Sequence, residues 1–103
     1  MAKEVEHTGC GGCDLTPKPE TIFQEAERTI THDRQDQYGS PEDCFSDIAK
    51  GWAVILEVEV TPAQVAQCMI WLKVAREKYR HKRDNIVDLM GYAGCLARIV
   101  GEK

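Results

Sequence analysis

Four residues, Thr61-Pro62-Ala63-Gln64, constrain this chain more than any others. A Thr hydroxyl can accept from the backbone N–H three residues on, and a Gln there can return the bond. Proline suits the first helical turn, where its missing N–H costs nothing. A helix therefore starts at Pro62. Behind it, Val65, Cys68, Met69, Leu72, Ala75 and Tyr79 recur at three- and four-residue spacing, which predicts an apolar stripe running to about Arg80. Ser40-Pro41-Glu42-Asp43 predicts a second start of the same kind, with acids in the first turn favouring the helix dipole. Its apolar face is Phe45, Ile48, Ala49, Trp52, Ile55 and Leu56, and Gly51 inside it suggests close packing.

Two more helices follow from periodicity. Ile22, Phe23, Ala26 and Ile30 predict one from Pro19 to about Thr31. Ile86, Val87, Met90, Ala93, Leu96, Ala97 and Val100 predict another from Asp84 to Val100, closed by Gly101. Gly91, Ala93, Gly94 and Ala97 make one side of it smooth enough for close helix approach. No hairpin signal interrupts the pattern. The expected fold is all-α, a four-helix bundle over residues 19–103 preceded by a Gly- and Cys-containing leader at residues 1–18. One domain of this length has a limited core, so self-association is expected.

Charge divides the 103 residues unevenly. Residues 1–60 carry 5 basic and 13 acidic side chains, and residues 61–103 carry 8 and 4. Net acidity and the lack of a recognised nucleic-acid motif argue against broad nucleic-acid binding. Met1 to Glu6 lack an apolar core of the secretory type, and no apolar run approaches the ~20 residues of a membrane span. The expected setting is the cytoplasm, with no membrane partner.

Several clusters carry candidate chemistry. Asp43 and Asp47 are four apart on one helix, as are Asp84 and Asp88 on another. Like charges at that spacing share a face and repel. A magnesium ion between two such pairs would relieve the repulsion, though helix-dipole stabilisation accounts equally for Asp43 and Asp84. Lys73, Arg76, Lys78, Arg80, Lys82 and Arg83 crowd into eleven residues, as a phosphate-facing patch or as charges favoured at a helix C-terminus. Before the second helix, Arg34 offers a planar fork for phosphate and Tyr38 a ring for stacking on a base. In the leader, His7, Cys10 and Cys13 have a spacing that zinc could use, one ligand short of a structural site. Cys68 and Cys95 read as small core residues.

The ensemble resembles a small-protein family of phages and prophages. The resemblance is carried by Asp33-Arg34-Gln35-Asp36-Gln37-Tyr38-Gly39, by the acidic-start helix Pro41 to Trp52, by Lys73 and Arg76, and by Asp84, Asp88 and Tyr92 at four-residue intervals. It covers about residues 20–100 and implies a bacterial host cytoplasm. More distantly, the chain is similar to the all-α nucleotide pyrophosphohydrolases of the MazG and dUTPase type. Those are helical dimers or tetramers that hold magnesium on acids from two helices and cleave nucleoside triphosphates. That likeness implies Asp43, Asp47, Asp84 and Asp88 as magnesium ligands, with Asp84 and Asp88 catalytic. It also implies Lys73, Arg76 and Arg34 on phosphates and Tyr38 at the base. The enzymes use Glu-x-x-Glu and Glu-x-x-Asp pairs where this chain has Asp-x-x-x-Asp. Two alternatives stay open: a non-catalytic phage protein that binds a nucleotide or a host protein, and a zinc-stabilised interaction module.

Overall fold

The computed structural model describes residues 19–33, 37 and 39–103. The leader with His7, Cys10 and Cys13, and the loop residues Arg34 and Tyr38, lie outside the described residues. Four helices make up the fold: α1 (Ile22–Arg28), α2 (Pro41–Leu56), α3 (Pro62–Tyr79) and α4 (Arg83–Val100). A π-helical turn, Thr29–Asp33, continues α1. No strand occurs among the described residues, and no helix there is long and apolar enough to cross a membrane.

The caps form as their residues dictate. At α3, Thr61 Oγ1 accepts from the Gln64 N–H at 3.1 Å and Gln64 Oε1 accepts from the Thr61 N–H at 2.9 Å. The same box starts α1, where Thr21 and Gln24 exchange bonds of 3.0 and 2.9 Å. That second box moves the start of α1 from Pro19 to Ile22. Each such cap stabilises its helix by about 1 kcal/mol. Ser40 caps α2 through the Asp43 N–H. The β-branched stretch after Trp52 stays helical to Leu56 and stops at Glu57, which takes a left-handed φ of 59°. Gly101, at φ 87°, closes α4.

The core joins α2, α3 and α4. Phe45, Ala49, Val65, Ala66 and Cys95 are buried together, flanked by Ile48, Trp52, Met69, Tyr92, Leu96 and Ile99. The glycines of α4 serve α1. A Cβ at Gly94 would lie 2.6 Å from Ile30 Cδ1, and one at Gly91 would lie 3.3 Å from Ile30 Cγ2. Gly51, by contrast, is exposed with nothing near it, so close packing does not explain it.

Helix α3 departs most from its expected face. It buries Val65, Ala66 and Lys73, while Cys68, Leu72, Ala75 and Tyr79 of the expected stripe are exposed. The reason is that α3 has apolar residues on both sides, so spacing alone does not choose between them. The side facing α4 wins because it also brings Lys73 to an acid. Phe23, Ile55, Leu56, Ala93 and Val100 are likewise exposed rather than core. Their positions fall at helix ends or on the rim of a thin bundle.

Candidate functional site: a basic groove and a buried ion pair

The basic run bends around the junction of α3 and α4. Lys73 is 8% exposed, and its Nζ lies 2.8 Å from Asp88 Oδ2. A lysine enters the interior only with a charged partner, because an unpaired ammonium there loses its hydration. Its methylene stem adds to the packing between the helices. Arg83 is also engaged, with Nε 3.1 Å from Glu25 Oε1 and Nη2 donating to the Glu20 carbonyl at 3.1 Å. It ties α1 to the start of α4. The Arg28 guanidinium, bonded to Glu20 at 2.8 Å, holds that carboxyl below its ordinary pKa.

Arg76, Arg80 and Lys82 have no acidic partner among the described residues. With Lys73, Tyr79, Asp84 and Asn85 they line an open groove of ≈ 530 Å³. That lies within the range of small-molecule sites. Arg76 sits in the last turn of α3 and Arg80 follows its end in extended conformation, and both line the groove. Tyr79 is 90% exposed and presents its ring at the groove edge.

Glu77 fixes this corner. Its Oε1 accepts from Asn85 Nδ2 at 3.1 Å and from the Lys82 N–H at 3.2 Å, and its Oε2 pairs with His81 Nδ1. Asn85 is buried and also donates to the Arg80 carbonyl at 3.3 Å. The His81 bond, reinforced by Asn85 and Lys82 and opposed by burial, lowers the Glu77 pKa. Sequence reading missed both Glu77 and Asn85. The available signal was a lone acid inside a basic run, eight residues ahead of an Asn in the first turn of α4.

A second cavity, ≈ 80 Å³, lies across the ion pair. Ile30, Phe45, Val87, Tyr92 and Cys95 give it apolar walls, completed by Thr29, Gly39, Pro41, Cys44, Gly91 and Asp88. Its wall includes residues on both sides of the Asp33–Gly39 segment.

The structure thus brings Lys73, Arg76 and Asp84 together at one groove and sets Asp88 against Lys73. It does not gather the four aspartates. Asp43 and Asp47 are exposed on α2 and line neither cavity. Glu42, beside Asp43, reaches Arg98 at 3.2 Å. Arg98 lies fourteen residues beyond Asp84, about 21 Å along the helix. Among the described residues no group of three or more His, Cys, Asp or Glu side chains is placed to hold a metal. Cys44, Cys68 and Cys95 form no disulfide there; Cys95 is buried as expected, and Cys68 is exposed.

The profile of a protein family described as "Domain of unknown function (DUF6378)" matches residues 21–100, nearly all of the helical body. The chain belongs to the DUF6378 family. Two relatives carry the name Gene 55 protein. That of Mycobacterium phage D29 is 43% identical over 84 residues, covering 81% of this chain and 56% of the relative. That of Mycobacterium phage L5 is 37% identical over 81 residues, covering 77% and 52%. The DUF6378 chain thus spans about half the length of these phage proteins. No solved structure matches it. The match begins at Thr21, the cap of α1, and stops at Val100, the end of α4, so the DUF6378 unit coincides with the four helices and contains the whole groove.

Proposed function

We propose that this phage protein binds the phosphate chain of a nucleotide in the groove between the end of α3 and the start of α4. One observation carries the reading: Arg76, Arg80 and Lys82, cations without an acidic partner among the described residues, converge on a cavity of nucleotide size. Guanidinium groups match phosphate oxygens in a bidentate fork, and an exposed tyrosine ring beside them suits a base. Buried Asn85 and the Glu77 bonds hold the backbone from which the cations project, so they are positioned before a ligand arrives.

Magnesium-dependent pyrophosphohydrolysis is the sharper form of this proposal. It rests on the likeness of the two Asp-x-x-x-Asp pairs to the MazG and dUTPase type. Within one chain the fit is incomplete: Asp84 is at the groove, Asp88 is held by Lys73, and Asp43 and Asp47 are elsewhere. Nucleotide binding therefore stands first.

The test is titration calorimetry with inorganic pyrophosphate and a panel of ribo- and deoxyribonucleoside triphosphates, with and without magnesium, alongside an assay for pyrophosphate release. Binding should weaken by roughly tenfold in Arg76→Ala and in Arg80→Ala, as expected for one lost charge-assisted bond. Helical circular dichroism should be unchanged. Absence of binding to every probe overturns the proposal and leaves the basic corner as a protein-contact surface. Binding without pyrophosphate release retires only the hydrolase form.

A further inference from the structure

We infer that the outer face of α3 is the two-fold interface of a homodimer, with the two copies of α3 packed antiparallel. Helix α3 carries an exposed apolar stripe beside its buried one. Cys68 stands three and four residues before the adjacent pair Trp71 and Leu72, and Ala75 four and three after it, the periodicity of a helix-packing seam. All four are exposed, Trp71 at 71%. The end of α2, which joins α3 through a short turn, adds exposed Val54, Ile55, Leu56 and Val58. At their fractional exposures these large apolar residues present roughly 700 Å² to water, where an aromatic alone carries 150–250 Å². A stable interface takes about 800 Å² from each partner.

The stripe is complementary to itself in one direction. About a midpoint between Trp71 and Leu72, antiparallel packing sets small Cys68 against the partner's Ala75. The two small residues flank the large central pair, so the helices can approach closely. Charge selects the same direction. The turn before α3 is acidic, with Glu57 and Glu59 exposed, and the end of α3 is basic, with Lys78 and Arg80 exposed. An antiparallel pair sets each acidic turn beside the partner's basic end, whereas a parallel pair would stack like on like. The first eighteen residues are a poorer occupant. Their large apolar side chains are Met1, Val5 and Leu15, too few to cover a tryptophan-centred stripe.

Sedimentation equilibrium on the full chain, from low micromolar to submillimolar, tests the interface. A dimer is expected, and Trp71→Glu should be monomeric with helical circular dichroism intact. At low salt Glu59→Lys should weaken the dimer several-fold, and adding Lys78→Glu in the same chain should restore it. A monomer at every concentration overturns the inference. So does a dimer unaffected by Trp71→Glu, or blue-shifted Trp71 emission in a monomeric Trp52→Phe sample, which would mean that the chain covers its own stripe. Nucleotide binding is read separately, so failure of the dimer and failure of the groove are distinguishable.

Discussion

Lys73 and Asp88 stand between two cavities of opposite character. On the Asp88 side the space is ≈ 80 Å³ and walled by Ile30, Phe45, Val87 and Tyr92. On the Lys73 side it is ≈ 530 Å³ and walled by Arg76, Arg80, Lys82 and Tyr79. The first is small and mostly apolar, with Asp88 and Thr29 the polar side chains in its wall beside the Tyr92 ring. The second has the volume and charge for a ligand. The contrast shows how one ion pair can serve both sides. The Asp88 carboxylate makes the lysine tolerable in the interior, and the lysine brings positive charge to the wall of the groove.

The largest effect should come from breaking that pair. Lys73→Met takes away the ammonium that lies 2.8 Å from the part-buried Asp88 carboxylate, and urea unfolding should show a loss of about 3–5 kcal/mol. Most of a marginal domain's stability would go with it. The double variant Lys73→Met with Asp88→Leu should recover the greater part, since burying two apolar side chains avoids the desolvation of two charges. A double variant no more stable than the single one would show that the cavities are separated by something other than the pair.

A smaller effect, visible in its pH dependence, should come from the groove side. Glu77 has a lowered pKa in the folded chain because His81, Asn85 and Lys82 bond its ionised form. A carboxyl of this kind contributes stability that is fully present above its unfolded pKa, about 4.3, and is lost as pH falls through the lower folded value. Glu77→Gln should therefore melt below the parent chain at neutral pH, and the gap should close on acidification below pH 4. A gap that persists unchanged in acid would assign the effect to packing rather than to charge.

The fold was legible where the chain encodes it locally, and the site only in part. Thr61-Pro62, Ser40-Pro41 and Gly101 mark helix boundaries by their own chemistry, and each stands where that chemistry puts it. The face of α2 follows from amphipathic spacing, with Phe45 and Ala49 buried as expected, whereas of the expected apolar face of α4 only Val87 is buried, beside Asn85, Gly91 and Cys95. Helix α3 could not be read that way, because apolar residues such as Val65, Ile70 and Trp71 surround it. The choice is made by tertiary contact, through Lys73 finding Asp88. For the same reason the basic run was visible in sequence, but its division was not: Lys73 and Arg83 serve the fold, and Arg76, Arg80 and Lys82 face the groove. The grouping of the four aspartates relied on helix spacing, which relates residues within a helix and says nothing about the distance between two helices.

The smallest effect should come from the apolar side, by comparing two glycines. Gly51→Ala adds a methyl in open space inside α2, so only the helix preference changes, and stability should rise by roughly 0.5–1 kcal/mol in urea unfolding. Gly94→Ala gains the same preference in α4 but brings its methyl to 2.6 Å from Ile30 Cδ1. Ile30 must then turn away, at a cost of about 0.5–1.5 kcal/mol if it leaves its rotamer well. The two terms should nearly cancel, leaving Gly94→Ala about 1 kcal/mol less stabilising than Gly51→Ala. Ile30 is itself a wall of the apolar cavity, so its methyl has one direction in which to yield. Equal gains at both positions would mean that the cavity accepts the displaced methyl without strain, and that the space beside Asp88 is softer than its close-set walls imply.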